Sequence, residues 1–170
     1  MQQNGDAPLS RTLSVLVENK FGVLARIATL FAARGFNIDS LAVGETEDPE
    51  VSRMTLVARG SEGVLEQVEK QLNKLIDVIK VSNMALEPHL QRDLALIKVK
   101  ADKSTRSEIF QIVDIFRAKI VDVAAESLIV EITGDEEKIL ALETLLRPFG
   151  IKEMARTGVI AMARGKKKKD

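Results

Sequence analysis

The chain has 170 residues, 45% of them hydrophobic, which is enough for one medium domain or two small ones. It has no cysteine, which excludes disulfides and thiolate metal sites. Acidic and basic residues number 25 each, and without the Lys166–Asp170 tail the net charge is −3, which argues against nucleic-acid binding. The sequence shows no membrane-spanning apolar run and no signal peptide, so we expect a cytoplasmic protein.

The first half of the chain predicts six elements in the order β-α-β-β-α-β. Apolar residues at every second position predict the strands, and apolar stripes at helical spacing predict the helices. An acidic turn, residues 45–50, is expected between the second and third strands. The predicted elements are strand 11–18, helix 22–34, strand 37–44, strand 51–59, a helix starting at 60–61 and strand 78–86, preceded by flexible residues 1–10.

Each of these two helices carries an apolar stripe that is expected to pack on the sheet. Gly35 is expected to end the first helix as a C′ glycine. The stripes are predicted at Leu24, Ile27, Ala28 and Phe31 in the first helix and at Val64, Leu65, Val68, Leu72, Leu75 and Ile76 in the second.

The turn between the first strand and the first helix, Asn19–Gly22, is the main candidate for a binding site. The first amides of a helix have no partner within the helix, and Gly22 would let another group approach them. Such a helix end can bind a carboxylate. An ordinary turn that needs glycine for steric reasons is the alternative, and the turn alone favours that simpler interpretation.

After a predicted linker at residues 87–91, the same order of elements repeats. Thr105 and Glu108 have the spacing of a capping box. Residues 101–104 stand where the first half has its Asn19–Gly22 turn, so we expect any ligand in the first unit. The predicted elements are strand 93–100 (alternating at Leu94, Leu96 or Ile97, and Val99), a helix after Thr105, strands 120–125 and 128–133, a helix from Gly134 to Pro148, and a last strand 150–163.

This pattern predicts an α+β protein made of two ferredoxin-like βαββαβ units, each with both helices on one face of an antiparallel sheet. The predicted domains are residues 11–87 and 88–163. A basic tail, 164–170, follows them, and a disordered solubilising segment is the favoured interpretation of Lys166–Lys169.

No motif for catalysis, nucleotide binding or metal binding is present. The nucleophile elbow, the P-loop, the dinucleotide fingerprint and clustered metal ligands are all missing, so we predict no catalytic residue and no metal site. His89, the one histidine, is expected at the surface. An RNA-recognition module of the same topology would need aromatic residues on its central strands, and residues 12–18 and 51–59 have none.

Several segments of the chain carry specific sequence patterns, namely ENxxGVLxRI at Glu18–Ile27, RGFNIDSLxVG at Arg34–Gly44 and DPxxSRMT at Asp48–Thr55. These segments closely resemble the regulatory (small) subunit of acetohydroxyacid synthase, also called acetolactate synthase. Glu66–Val81 and Arg156–Gly165 are also similar to that family. The resemblance therefore covers nearly the whole chain.

The resemblance implies a regulatory role without catalysis. The first unit would be an ACT domain, a module that binds amino acids, and the second a domain of similar topology. The chain would bind and activate a catalytic subunit and confer feedback inhibition by valine. It would carry no cofactor itself, whereas the catalytic subunit is expected to use thiamine diphosphate, Mg²⁺ and FAD. A homodimer through the ACT domains is implied, with no nucleic-acid or membrane partner.

The resemblance also implies an effector site at the start of the first helix. Ala25 stands where several relatives have serine, so a hydroxyl contact is not expected there. Asn37 and Ile38 are expected to form a wall contributed across the dimer by the other ACT domain. The implied effector-binding residues are Asn19, Gly22, Val23, Leu24, Ala25, Asn37 and Ile38.

Two other functions stay open at this stage. One is a stand-alone amino-acid sensor of the ACT class that acts on a different enzyme, and the other is a small βαββαβ enzyme. The preference among valine, leucine and isoleucine is also open, because one methylene changes a binding free energy by only about 1–3 kcal/mol.

Overall fold

A computed structural model describes residues 9–165 of the chain. The first eight residues of the predicted flexible N-terminus and the Lys166–Lys169 part of the tail lie outside this range. The described residues form two compact units, one of residues 9–90 with 159–165 and one of residues 91–158. Residues 159–163, which the sequence analysis assigned to the second domain, thus group with the first unit.

The first unit is an antiparallel four-stranded sheet with two helices. Its strand order is β2-β3-β1-β4, so β2 and β4 are the edges. This confirms the predicted βαββαβ arrangement, although the first strand starts at Leu9, which pairs with Gly60, and not at residue 11. The elements are β1 (Leu9–Glu18), α1 (Val23–Arg34), β2 (Asn37–Glu45), β3 (Val51–Gly60), α2 (Glu62–Leu72), β4 (Val78–Asn83) and a 3₁₀ turn (Met84–Leu86).

The core of the first unit lies between the sheet and the two helices. Gly35 has the left-handed backbone (φ 65°) of a helix-ending glycine, as predicted. The predicted stripe of α1 is partly wrong, because Leu24 and Ala28 are exposed and Val23 is buried instead. The buried core residues are Leu13, Val15, Val17, Val23, Ile27, Phe31, Met54, Leu56, Ala58, Leu65, Val68 and Leu72.

The predicted stripe of α2 is wrong at Ile76, whereas Leu75 packs against the core as predicted. The helix ends at Leu72, and beyond the cap residue Asn73 the amides of Lys74 and Leu75 donate to the carbonyls of Gln71 and Leu72, three residues back. This tighter turn changes the helical phase. Ile76 is consequently 95% exposed and not part of the core.

The second unit has the same topology, with strand order β6-β7-β5-β8. β5 begins at His89, within the predicted linker, and its core face carries Ile97, so Leu94 and Leu96 lie on the other face. The elements are β5 (His89–Lys100), α3 (Arg106–Ile115), β6 (Lys119–Val123), β7 (Ser127–Gly134), α4 (Glu136–Leu146), a 3₁₀ turn (Arg147–Phe149) and β8 (Ile151–Arg156).

The predicted last strand, 150–163, is in fact two strands. β8 ends at Arg156, and Gly158 has φ 84°, a left-handed backbone that interrupts the extended chain before β9 (Ile160–Ala163). β9 lies on the face of the first sheet that is opposite its helices. The amide of Val159 donates to Ser40 Oγ at 2.9 Å, and that of Ala161 donates to Thr55 Oγ1 at 3.4 Å.

Candidate functional site at the start of the first helix

The turn between β1 and α1 is held to the rest of the first unit by backbone hydrogen bonds. The amide of Glu18 donates to the carbonyl of Asp77 at 2.9 Å, and the amide of Asn19 donates to the carbonyl of Glu50 at 2.7 Å. Gly22 then adopts φ 85° and ψ −5°, a left-handed conformation that favours glycine. A Cβ atom there would meet nothing within 4 Å, so glycine is needed for its backbone angle and not for space.

Helix α1 begins with unpaired amides. Val23 N–H makes only a long bond of 3.4 Å to the Lys20 carbonyl, and Arg26 is the first residue with an ordinary helical bond, 3.0 Å to Gly22. Within residues 9–165, the amides of Gly22, Leu24 and Ala25 have no acceptor, and no side chain caps the helix. Free amide donors at the positive end of a helix dipole are the kind of group that can bind a carboxylate.

The corresponding turn of the second unit already holds a carboxylate of its own. Asp102 Oδ1 accepts hydrogen bonds from the amides of Ser104 (2.8 Å) and Thr105 (3.1 Å), and from the Ser104 hydroxyl. These hydrogen bonds stabilise the ionised form and lower the pKa of Asp102 to about 2. The predicted capping box is therefore wrong, because Thr105 caps no amide of α3 and Asp102 occupies the turn. This contrast supports the prediction that a ligand would bind to the first unit.

Asn19 is positioned by the acidic turn between β2 and β3. Its Nδ2 donates to the carbonyl of Pro49 at 2.8 Å and to Glu45 Oε1 at 3.2 Å. With both donors engaged, the side-chain oxygen of Asn19 is the atom that it can offer to a ligand. It can therefore accept a hydrogen bond from an ammonium group, whereas the amides of α1 are suited to a carboxylate.

The predicted site residues do not all meet within one chain. Asn37 pairs with Arg59 at one end of the sheet, whereas Glu45 pairs with Ser52 at the other end, where Glu18 also lies. Asn37 and Ile38 are thus separated from Gly22 by the length of the 12-residue helix, about 18 Å. Asn37 is exposed and donates to Asp39, and Ile38 packs on the core.

The other predicted site residues lie together at the turn, but their side chains differ in exposure. Val23 is 4% exposed and belongs to the core, so only its backbone can face a ligand. Leu24 is 46% exposed, and Ala25 is exposed as well. The structure therefore places Asn19, Gly22, Leu24 and Ala25 around one open helix end.

An ion pair that the sequence analysis missed anchors this helix end. Arg26 Nε lies 2.8 Å from Asp77 Oδ2, and Arg26 Nη2 donates to Asp77 Oδ1 at 3.1 Å, a two-pronged arrangement. Asp77 is buried, and its carbonyl also accepts from Glu18. Because the two residues are 51 positions apart, no local pattern could have revealed the pair. Nearby, the Glu18 carboxylate bonds to Lys20 and raises the pKa of that ammonium group.

Two other kinds of site are not found in the described part of the chain. Within residues 9–165, no group of three or more histidine, aspartate or glutamate side chains could hold a metal ion. Among the same residues, no helix has the length and apolar character needed to cross a membrane.

Comparisons with known proteins identify the family. A family model described as "AHAS small subunit-like ACT domain" matches residues 13–80, and one described as "Small subunit of acetolactate synthase" matches residues 92–165. A probable acetolactate synthase small subunit from Archaeoglobus fulgidus is 56% identical over 160 residues, which are 94% of this chain and 100% of that protein. The chain belongs to the acetolactate synthase small-subunit family.

Other small subunits of acetolactate synthase agree with this assignment. That of Mycolicibacterium smegmatis is 54% identical over 156 residues, 92% of each chain. The crystal structure of the small subunit from Thermotoga maritima has a TM-score of 0.84 at 46% identity and covers 93% of this chain and 99% of that one. The resemblance stated from the sequence is thus confirmed, and residues 13–80 belong to an ACT domain. A small subunit implies a catalytic subunit as its partner.

Proposed function

We propose that this chain is the regulatory subunit that binds the catalytic subunit of acetolactate synthase, raises its activity and confers feedback inhibition by valine. The chemistry, with thiamine diphosphate, Mg²⁺ and FAD, would reside on the catalytic subunit. The observation that carries this proposal is the uncapped start of α1 within an ACT domain, where the amides of Gly22, Leu24 and Ala25 have no acceptor among the described residues.

The chemistry of this helix end matches a free amino acid. The ligand carboxylate would accept hydrogen bonds from the amides of Gly22, Leu24 and Ala25. The ligand ammonium would donate to the side-chain oxygen of Asn19, whose nitrogen is engaged by Pro49 and Glu45. The exposed part of Leu24 would contact the aliphatic side chain.

A second copy of the chain would complete the site. β2 is an edge strand, and an edge invites pairing with a copy of itself. In a two-fold antiparallel pairing, the Asn37 end of one β2 lies against the Glu45 end of the other. The Glu45 end is the one at which α1 begins, so Asn37 and Ile38 of the partner subunit would approach the ligand. This accounts for the distance between Asn37 and Gly22 within one chain.

Such a shared site provides a mechanism for inhibition. A ligand held by two copies favours the arrangement of the pair to which it binds more tightly. The catalytic subunit, bound to the same pair, would then have lower activity in that arrangement, which is a coupling free energy between two sites.

The experiment that tests this proposal is reconstitution. The purified chain is added to the catalytic subunit of acetolactate synthase, and acetolactate formation is measured with and without valine. We expect a complex, a higher rate, and inhibition that only the chain confers. A chain that binds and changes nothing, or that does not bind, would contradict the proposal and favour a stand-alone sensor. Leucine and isoleucine titrated in parallel would establish the preference among the three.

A further inference from the structure

Two hydroxyl side chains of the first sheet, Ser14 and Thr55, are buried on the face opposite the two helices. Each residue is 2% exposed, and the two pair across β1 and β3. Their neighbours along the chain belong to the core, and successive side chains of a strand alternate, so both hydroxyl groups lie on the other face. In an antiparallel sheet with helices on one side, the other face is commonly open to water. Here a different segment of the chain covers it.

The cover is the C-terminal segment of the first unit, residues 159–163, which we call the strap. Its alternate residues turn toward the sheet, because Val159 is 8% and Ala161 is 5% exposed, whereas Ile160 between them is 59% exposed. The strap contains β9 and groups with the first unit although the whole second unit precedes it in the chain. The first unit is therefore completed by residues from the far end of the sequence.

The surface beneath the strap suits a backbone that approaches closely. A row of small side chains crosses all four strands of the first sheet, in the order Ala42, Thr55, Ser14 and Ser82. A buried backbone amide needs an acceptor, and a hydroxyl oxygen can supply it. The two inward strap residues have such acceptors, namely Ser40 Oγ at 2.9 Å and Thr55 Oγ1 at 3.4 Å. The strap and this face thus match in size and in hydrogen bonding.

The strap follows a point at which the two ends of the second unit are held together. Asp93 is 2% exposed and accepts hydrogen bonds from Arg156 Nε at 2.7 Å and from Thr157 Oγ1 at 2.9 Å. The Leu94 amide donates to Thr157 Oγ1 at 3.1 Å, and the Thr157 amide donates to the Leu94 carbonyl at 3.0 Å. We call Asp93, Arg156 and Thr157 the end clamp. It keeps the start of the strap close to residue 91, where the second unit begins.

We propose that the end clamp holds the strap on the first sheet, so that loosening the clamp opens this face of the first unit. With the clamp closed, the strap has a short tether and therefore a high effective concentration at its seat. With the clamp open, the tether is longer and more flexible, and the entropy cost of closing a loop grows with its length. In the limit of a fully flexible second unit, a tether of about five residues becomes the whole of residues 91–158, which favours the open strap by roughly fiftyfold.

The test measures hydrogen exchange of single backbone amides by NMR in the ¹⁵N-labelled full-length chain. The clamp variant is Asp93→Ala, and the matched control is Asp102→Ala, which removes another hydrogen-bonded carboxylate of the second unit. We expect Asp93→Ala to speed exchange at the Val159 and Ala161 amides by between about tenfold and about fiftyfold, because exchange follows the population of the open form. Asp102→Ala should change it by less than about twofold. The signals of α1 should keep their parental positions in both variants.

A second pair of variants tests the seat of the strap. Ala161→Asp places a carboxylate between the strap and the sheet, where burying an unpaired charge is unfavourable. Ile160→Asp places the same group on the outward side of the strap, at a residue that is 59% exposed. We expect exchange at the Val159 amide to rise about tenfold or more in Ala161→Asp and to change less than about twofold in Ile160→Asp.

Three outcomes would overturn the inference. The first is a parental exchange rate at the strap amides in Asp93→Ala, whether or not the second unit stays folded in that variant. If Asp93→Ala does not fold at all, Thr157→Val takes its place, and a parental rate there counts in the same way. The second is an equal acceleration in Asp102→Ala, because the clamp would then have no special role. The third is equal exchange in the two strap variants.

Neither an effector nor a catalytic subunit takes part in these measurements. A strap that behaves otherwise would therefore leave the proposed function standing. Equally, a failed reconstitution with the catalytic subunit would leave the strap and its clamp untouched.

Discussion

Substitution of Gly22 by aspartate should block the effector site through charge. The new side chain has room, because a Cβ at this position meets nothing within 4 Å. Its carboxylate would lie near the amides of Leu24 and Ala25 and compete for them with the ligand carboxylate. Two unit charges about 4 Å apart repel by roughly 1 kcal/mol in water and about 4 kcal/mol at the effective dielectric constant near a protein surface. We therefore expect valine affinity to fall by between about fivefold and about a thousandfold, since about 1.4 kcal/mol is a factor of ten.

The matched control is Gly22→Asn, which separates charge from backbone strain. Both substitutions place a side chain at φ 85°, a conformation that asparagine and aspartate tolerate better than most residues. They should lower the melting temperature by similar amounts. Calorimetric titration of each purified variant with valine measures the affinity. The reasoning would be refuted if Gly22→Asp bound valine as well as the parent chain, or if Gly22→Asn lost as much affinity as Gly22→Asp.

Three further substitutions test separate parts of the account. Asn37→Ala should weaken valine binding without releasing the catalytic subunit. If the variant were inhibited at the same valine concentrations as the parent chain, Asn37 would have no part in the site. Arg26→Gln should destabilise the chain by about 1–3 kcal/mol, because buried Asp77 loses its charged partner. Denaturant unfolding would measure this loss, and an unchanged midpoint would show that the ion pair does not anchor the start of α1. Asp102→Ala should lower the melting temperature at pH 7. The folded-state pKa of Asp102 is depressed to about 2 from 3.8, so its contribution is present above pH 4 and is lost as the pH falls toward 2, where parent and variant should converge. Convergence already at pH 7 would contradict that role.

The order of elements could be predicted because apolar periodicity is a local property of the sequence. Alternation at Leu13, Val15 and Val17 and the helical spacing of Ile27 and Phe31 both correspond to buried faces. The topology of both units then follows from connection rules for this element order.

The errors occur where the local pattern does not contain the deciding contact. Ile76 continues the apolar spacing of α2, but the helix ends at Leu72 without a glycine or proline to mark the place. In β5, Leu94 and Leu96 lie on one face, and Ala95 and Ile97 lie on the other. Both faces carry apolar residues, so only packing against the helices of that unit decides that Ala95 and Ile97 are buried. The spacing of Thr105 and Glu108 predicts a capping box, but in the structure the amides of Ser104 and Thr105 donate to Asp102 Oδ1 instead.

In the candidate site, too, local features could be predicted from the sequence, whereas contacts between distant residues could not. The Gly22 turn was recognisable from sequence because glycine marks an unusual backbone angle. The orientation of Asn19 was not, since it depends on Glu45 and Pro49, which are 26 and 30 residues away. The family resemblance supplied Asn37 and Ile38, and the distance between Asn37 and Gly22 is the structural reason to involve a second copy.

An NMR titration of the ¹⁵N-labelled chain with valine tests the central claim most directly. If the free amides at the start of α1 receive the ligand carboxylate, the signals of Gly22, Leu24 and Ala25 should shift progressively and saturate. The amides of Ser104 and Thr105, which already bond to Asp102, should not shift and serve as the internal control. Saturating shifts at Ser104 and Thr105 with none at Gly22, Leu24 and Ala25 would contradict the account.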